Sequence, residues 1–323
     1  MKAAALFRAQ ISDRVAALGS LGLKPVVELH LFGLDDVFGP RCGEVVENCR
    51  SFQETVFIVH YPIYDTSTGY IYDPFNGEAE GFEKTLRFAK DIGSNVMVMH
   101  RCFGFDRGLG KEEAGARFFE NVAQWDCLAK ESGVKILYEN YGFVWLQKGL
   151  GKDYVTSPLD HFFPWDMREF ALKAERMGLE NTGVLLDFAH AALSANMFNM
   201  LKVQSHLRSD ARFANIYPED LERAEQLTVA DFVLDFIDYF HVSDALVWES
   251  SYGLDRIDRF LCTENLPIGR GNIDYRGILS RVMGDKTLIM EIDPEEGDHT
   301  HNVSQLRGVE WFKKNIEEIS LCA

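Results

Sequence analysis

Gly-Val-Leu-Leu-Asp-Phe-Ala-His occupies positions 183–190, a short apolar run that ends in a carboxylate and an imidazole. A continuous apolar run of this length is typical of a parallel strand that is buried on both faces. The side chains of Asp187 and His190 are both able to bind a metal ion or to transfer a proton. The stretch therefore predicts a buried strand that carries reactive groups at its carboxyl end.

Six further runs of the same kind recur along the chain, and helical patterns separate them. They span residues 26–32, 56–61, 95–100, 134–139, 239–242 and 287–292. Alternation of buried strands with helices predicts an α/β fold, a TIM (β/α)8-type barrel. The eighth strand is not evident: residues 2–7 are one candidate, but residues 3–18 fit an amphipathic helix better. We therefore expect a first strand that is missing or irregular, or else a short strand near residues 266–268.

The length of 323 residues fits one such barrel, and neither an internal repeat nor a Pro/Gly/Ser-rich linker divides the chain. We predict a single domain over residues 1–323 with an N-terminal helix over about residues 1–22. Two connections, residues 141–182 and 191–238, are expected to be long loops of the kind that form lids or substrate walls.

Charge and cysteine content limit the class of partner and the compartment. Acidic residues outnumber basic ones by 50 to 33, and the net charge of −17 disfavours a protein that grips nucleic acid through phosphates. The six cysteines are scattered without a CxxC pair, which favours a reduced, cytoplasmic setting. No apolar stretch approaches the length of about 18 residues that a membrane span needs. We expect a small-molecule substrate and neither nucleic acid nor membrane as a partner, and we leave a homo-oligomer open.

The predicted strands share one property, a metal-binding or acid–base side chain at the carboxyl end. In a barrel these ends converge on one mouth, so residues distant in sequence become neighbours. Any one such residue alone is more often a hydrogen-bonded polar group, but six strand ends of the same chemical class favour a shared site. Carboxylate and imidazole ligands without a thiol suit Mn, Zn, Co or Mg. The strand-end residues are His60, His100, Glu139, Asp187 with His190, His241 with Asp244, and Glu291.

Three short motifs carry a resemblance to a known superfamily. They are Asp-x-x-His at 187–190, His-x-x-Asp at 241–244 and Gly-x-Gly-x-Ile-Asp at 269–274. Together with the order of the strand-end residues, they resemble the xylose-isomerase-like barrels from about residue 26 to the C-terminus. That superfamily includes ketose 3-epimerases, inosose dehydratases and the endonuclease IV family of abasic-site nucleases.

The resemblance to the epimerases implies a role for each strand-end residue. Glu139, Asp187, His241 and Glu291 would be the metal ligands, and His190 would hydrogen-bond the substrate near its carbonyl group. Glu139 and Glu291 would also be the acid–base pair that works through a metal-stabilised enediolate. The resulting prediction is a metal-dependent isomerase or epimerase of a monosaccharide or a related polyol ketone.

His60 and His100 leave alternatives open. The resemblance implies that they contact substrate, or that they hold a second metal together with Glu139 as in the endonuclease IV family. A third metal in those nucleases needs an Asp-x-His element, and here Asp255-Arg256-Ile257 has isoleucine instead of histidine. The alternatives are therefore an endonuclease IV-like phosphodiesterase, an inosose-type dehydratase, or a barrel that binds sugar or metal without catalysis. Glu28 and His30 share the first clear strand, and we expect His30 to pack rather than to catalyse.

Overall fold

The computed structural model describes most of the chain. The described residues are 1–4, 8–31, 33, 34, 37, 39–62, 79–100, 111–141, 163–210, 213, 216–252, 257–282, 284–293 and 302–322. The strands are β1 (Lys2–Ala4), β2 (Val26–His30), β3 (Val56–His60), β4 (Val96–His100), β5 (Lys135–Glu139), β6 (Thr182–Asp187), β7 (Tyr239–Val242) and β8 (Thr287–Met290). The α-helices are α1 (Arg8–Ser20), α2 (Cys42–Arg50), α3 (Ala79–Asp91), α4 (Lys111–Ser132), α5 (Pro164–Arg176), α6 (Phe188–Val203), α7 (Pro218–Glu222), α8 (Ile257–Cys262), α9 (Tyr275–Leu279) and α10 (Val303–Cys322).

The eight strands form one sheet in which each strand pairs with the next along the chain and every pairing is parallel. The register places strand-end residues side by side: His30 is opposite His60, His100 is opposite Glu139, and Asp187 is opposite His241. The sheet curves until β8 also lies near β2. This is a (β/α)8-type barrel, as the alternation of strands and helices predicted.

The seven strands expected from the sequence are all present, and the irregular element is the first. Lys2–Ala4 forms a three-residue strand that pairs with β2, and the helix that follows begins only at Arg8. The expectation of an N-terminal helix over residues 1–22 was therefore wrong for its first residues, because a strand this short shows no alternation. The candidate strand near Leu266 is only an isolated antiparallel bridge to Asp244.

The expectation of two long loops was also wrong in large part. Residues 191–238 begin inside α6, which is buried along most of its length, and continue through α7 and two short 3-10 helices. A helix that is apolar on all sides lacks the periodicity that marks a surface helix in sequence. In the other connection α5 occupies Pro164–Arg176, and residues 142–162 lie outside the described residues.

The side chains of the strands fill two separate apolar regions. Outward-facing residues pack with the helices in the larger core, whereas a smaller cluster fills the floor of the barrel interior. Side chains alternate between faces along a strand, so the residue two positions after a floor residue also points into the barrel. The floor cluster consists of Val26, Ile58, Val96, Val98, Leu137, Leu185, Tyr239 and Ile289.

Asp244 holds the loop that follows β7 by four backbone hydrogen bonds. Its Oδ2 accepts from the N–H groups of Gly269 and Gly271 at 2.9 and 3.0 Å, and its Oδ1 accepts from those of Ala245 and Ile273 at 3.0 and 3.1 Å. The carboxylate is therefore fully engaged in anchoring this loop. The inclusion of Asp244 among the reactive strand-end groups was wrong, because Asp244 lies beyond the end of β7 and faces the loop.

No described helix combines the length and the apolar character that crossing a membrane would require. Among the described residues, Cys42, Cys49 and Cys127 are free thiols. The reduced, cytoplasmic setting expected from the sequence stays a prediction.

The anchored loop yields a prediction about stability. Gly271→Ala should lower the free energy of unfolding by about 1–3 kcal/mol, because an added Cβ would overlap the carbonyl oxygen of Ala245 and the carboxylate of Asp244. Urea denaturation followed by circular dichroism measures the change. Gly115→Ala is the matched control, since its Cβ would meet open space within α4 and should leave stability equal or raise it by up to about 1 kcal/mol. Equal unfolding midpoints for Gly271→Ala and the parent would contradict this account of the loop.

Candidate metal and catalytic site

A ring of polar side chains lies directly above the apolar floor of the barrel. Each member follows a floor residue by two positions, so both point inward from the same strand. All but Glu291, which is 15% exposed, are buried. The members are Glu28, His60, His100, Glu139, Asp187, His241 and Glu291.

Glu139 is the centre of this ring, because each of its oxygens contacts two imidazoles. Its Oε2 lies 2.8 Å from His100 Nε2 and 3.4 Å from His60 Nε2. Its Oε1 lies 3.1 Å from His190 Nδ1 and 3.2 Å from His241 Nδ1. Burial opposes ionisation, but His100 and His241 outweigh it and hold the pKa of Glu139 well below its usual value. Glu139 is thus a buried carboxylate that is common to two groups of residues that could hold a metal ion.

The first group consists of the four residues that the resemblance implied as metal ligands. One ligand atom from each of Glu139, Asp187, His241 and Glu291 lies within 4.8 Å of the others, a spacing that could hold a metal ion. His241 Nδ1 also lies 2.6 Å from Glu291 Oε2. Three carboxylates and one imidazole around a single point suit a divalent cation.

Asp187 provides an observation that tests whether a cation fits this group. Its Oδ1 accepts a 2.6 Å hydrogen bond from the backbone N–H of His190 and caps α6, whereas its buried Oδ2 has no hydrogen-bond partner among the described residues. Burial raises the pKa of Asp187 to about 7, and the charges of Glu139 and Glu291 act in the same direction. A divalent cation would favour the ionised form and give Oδ2 a partner.

The second group of ligands consists of His60, His100 and Glu139, and it shares Glu139 with the first. His60 Nδ1 lies 2.8 Å from the carbonyl oxygen of Tyr61, which can only accept. Nδ1 therefore carries a hydrogen that it donates to this oxygen, and Nε2 is the nitrogen that faces Glu139, at 3.4 Å from its Oε2. Burial lowers the pKa of His100 to about 4, so that its ring is neutral at pH 7. Neutral imidazoles are the form in which histidine binds a metal.

His190 lies in the first turn of α6, where its Nδ1 is 3.7 Å from Asp187 Oδ1. Its Nδ1 donates a 2.9 Å hydrogen bond to the carbonyl oxygen of Asn140, and its Nε2 lies 3.3 Å from Glu264 Oε2. Burial opposes protonation, but Asp187, Glu139 and Glu264 outweigh it and raise the pKa of His190 well above its usual value. The ring is therefore a cation of fixed orientation within the site.

Sequence reasoning assigned no role to several residues that the structure places at the site. Asn140 holds the end of β6: its Oδ1 accepts from the Asp187 N–H at 2.6 Å and its amide donates to the Asp187 carbonyl at 3.1 Å. Tyr141 forms an aromatic wall beside His100 and His190, with ring centroids 4.5 and 4.9 Å away. Glu28 contacts His241 Nε2 at 2.7 Å. Every second residue of a strand faces the same side, so counting from Val26 along β2 would have placed Glu28 in the ring.

Ile257 begins α8, where it is half-buried against the main core. Asp255 and Arg256, the rest of the element that a third metal would need, lie outside the described residues.

Comparison with known proteins gives one family match and several structural likenesses. A family model described as a xylose isomerase-like TIM barrel matches residues 66–315. No curated protein matches the sequence. Among solved structures, the chain resembles an L-ribulose 3-epimerase with a TM-score of 0.58 and 12% identity, over 99% of this chain and 94% of that one.

Two further structures show the same fold. The IolI protein with a binding zinc atom has a TM-score of 0.58 and 14% identity, over 96% of both chains. A D-tagatose 3-epimerase-like protein has a TM-score of 0.56 and 15% identity, over 97% of both chains. At these identities the likeness establishes the fold alone.

The first ligand group yields a prediction about metal binding. Asp187→Asn should bind Zn²⁺ or Mn²⁺ at least about tenfold more weakly than the parent, because it replaces an anionic ligand by a neutral amide. Asparagine is a good N-cap, so α6 should keep its start. Isothermal titration of the chelator-treated protein measures the affinity.

Asp126→Asn is the matched control for this measurement. Asp126 is a buried carboxylate that accepts hydrogen bonds from Asn181 N–H and Thr182 Oγ1 at the opposite end of β6. It should leave metal affinity unchanged. Equal affinities for Asp187→Asn and the parent would contradict the assignment of the ligand group.

Proposed function

Because the chain belongs to the xylose isomerase-like TIM barrel family, we propose that it is a metal-dependent isomerase or epimerase of a monosaccharide or a related polyol ketone. The observation that carries the proposal is the meeting of two glutamates, Glu139 and Glu291, with Asp187 and His241 in one ligand group at the mouth of the barrel. A pair of carboxylates beside a cation can carry out proton transfer next to a carbonyl group.

Glu139, Asp187, His241 and Glu291 would hold the cation. Mn, Zn, Co and Mg are the candidates, since the group contains oxygen and nitrogen donors and no thiol. When bound, a divalent cation polarises a carbonyl oxygen and stabilises the negative charge that develops there. The proposal gives the protein's own side chains the remaining tasks of orienting the substrate and moving protons.

Glu139 and Glu291 would be the acid–base pair. Both approach the same atom, His241 Nδ1, at 3.2 and 2.6 Å, so the two carboxylates lie next to each other in the ligand group. Their surroundings differ: the side chain of Glu139 is 1% exposed and that of Glu291 is 15% exposed. One carboxylate would take the proton from the carbon beside the carbonyl, and the other would return a proton. The proton on Glu291 would be the one that exchanges with solvent.

His190 would orient the substrate. Its ring is fixed from one side by the Asn140 carbonyl, and its Nε2 faces Glu264, whose side chain is 22% exposed. A substrate oxygen that enters from the mouth would accept a hydrogen bond from Nε2 and compete with Glu264 for it. Tyr141 beside His190 offers an aromatic face, a common surface for the C–H groups of a sugar.

Proton transfer yields a prediction that separates chemistry from metal binding. Glu139→Gln and Glu291→Gln, each loaded to the metal content of the parent, should turn over a ketose about 10²–10⁴-fold more slowly, because an amide does not act as a base. A panel of ketoses and inososes in heavy water, read by NMR, identifies the substrate and measures deuterium at the carbon beside the carbonyl. Asp126→Asn should turn over at the parental rate.

The opposite outcome is equally clear. If both metal-loaded glutamine variants turn over at the parental rate, the two glutamates are ligands only and the proposed mechanism is wrong. A parent that binds metal but converts no ketose or inosose, and releases no water from an inosose, would contradict the proposed substrate class.

The second ligand group favours one other candidate function, an endonuclease IV-like phosphodiesterase. Its three residues could hold a second cation beside the first, with Glu139 common to both, and paired cations are typical of phosphodiester cleavage. Two observations rank this function lower: the net charge of −17, and isoleucine at position 257 in place of an imidazole. The proposed site therefore holds one or two cations and not three.

Metal counting and a cleavage assay distinguish the two functions. Elemental analysis of the metal-saturated protein should give at most two ions per chain, and His100→Gln should lose only the second. Abasic DNA should remain uncut under conditions in which ketoses are converted. Three ions per chain together with cleavage of abasic DNA would reverse the ranking.

A further inference from the structure

Glu28 makes a contact that neither the ligand group nor the acid–base pair accounts for. Its Oε2 lies 2.7 Å from His241 Nε2, and the side chains of both residues are 0% exposed. The contact crosses the barrel interior from β2 to β7. A carboxylate in such surroundings loses several kcal/mol of hydration, which only a close partner with a hydrogen to donate offsets.

This contact fixes a hydrogen on Nε2 of His241. A carboxylate accepts hydrogen bonds, so Nε2 carries a hydrogen that it donates to Glu28. Nδ1 is the atom that lies 2.6 Å from Glu291 and 3.2 Å from Glu139, on the side of the ligand group. Because Nδ1 also faces carboxylates, it too carries a hydrogen when no cation is bound. A cation in the ligand group would replace that hydrogen, and the Nε2–H hydrogen bond to Glu28 would keep Nδ1 turned toward the other three ligands.

We propose that Glu28 is a positioning residue of the metal site, which fixes the tautomer and the orientation of His241 through the Nε2–H hydrogen bond. The proposal rests on the proposed function only in requiring that the first ligand group binds a cation. Carboxylate–histidine–metal arrangements of this kind raise the basicity of the ligating nitrogen, and their removal typically weakens metal binding about 10- to 100-fold.

A purely structural role for Glu28 predicts a different pattern. Glu28 belongs to the inward face of β2, where the preceding inward residue, Val26, packs with the apolar floor. If Glu28 served only to pair a buried imidazole, its loss would change the stability of the fold. The affinity of the correctly folded protein for a cation would then stay the same, and so would the hydrogen on Nε2.

The test compares four proteins: the parent, Glu28→Gln, Asp126→Asn and Asp187→Asn. Glutamine keeps the size of Glu28 and an acceptor oxygen but removes the charge, whereas Asp126→Asn removes a buried charge far from the site. Zn²⁺ affinity is measured by competition with a chelator, on protein whose fold is verified by circular dichroism. Histidine-selective ¹⁵N NMR of the zinc-loaded proteins reports the tautomer of His241 and the strength of its Nε2–H hydrogen bond.

We expect Glu28→Gln to bind Zn²⁺ about 10- to 100-fold more weakly than the parent and Asp126→Asn to match the parent. The Nε2–H proton of His241 should resonate far downfield in the parent and move upfield in Glu28→Gln. If Glu28→Gln does not fold, Glu28→Asp takes its place with the same expectations, because its carboxylate stops one methylene short of Nε2.

The outcomes separate this proposal from the proposed function. Parental zinc affinity in Glu28→Gln, with the His241 resonance unmoved, overturns the positioning role. The metal site still stands in that case if the parent binds zinc and Asp187→Asn loses it. A parent that binds no cation, or Asp187→Asn with parental affinity, overturns the metal site and the role of Glu28 together.

Discussion

Alternation of side chains along parallel strands is the constraint on which the site depends. An inward-facing residue is followed two positions later by another, so a strand that contributes a side chain to the floor also contributes one to the ring above it. This holds for β2 to β8: in β5 the pair is Leu137 and Glu139, and in β6 it is Leu185 and Asp187. A slip of one residue in either strand would turn its carboxylate outward into the main core and an outward-facing apolar residue into the site. Burial of the apolar floor and pairing of the polar ring therefore require the same register of the strands.

Because the ring is buried, the ionisation of each member depends on the charges of the others. Each carboxylate that leaves water loses several kcal/mol of hydration, so the ring is stable only when its charges and hydrogen bonds are matched. Glu139 shows how this is done, since both of its oxygens have imidazole partners. Asp187 is less well matched, and its raised pKa of about 7 reflects that difference. A cation held beside Asp187 would favour its ionised form, so ionisation and occupancy would be linked.

The sequence allowed the barrel and most of the ring to be predicted, because both follow from local patterns. Apolar runs indicate buried strands, and a polar residue that ends such a run is visible at once, as with His60 and His100. Glu28 was less visible because it stands within its strand, between Val27 and Leu29, rather than at the end. Whether Asp244 faces the mouth or the loop depends on contacts with residues far along the chain, which no local pattern encodes.

The loop held by Asp244 has a consequence for ligand charge. In many barrels of this architecture the loops after the seventh and eighth strands present backbone N–H groups to a phosphate. Here the N–H groups of Gly269, Gly271 and Ile273 already converge on a carboxylate that belongs to the chain. Because the carboxylate of Asp244 is part of the chain, its effective concentration at this loop is very high, and an incoming phosphate would have to compete with it. Recognition of a phosphorylated sugar would have to come from donors elsewhere around the mouth.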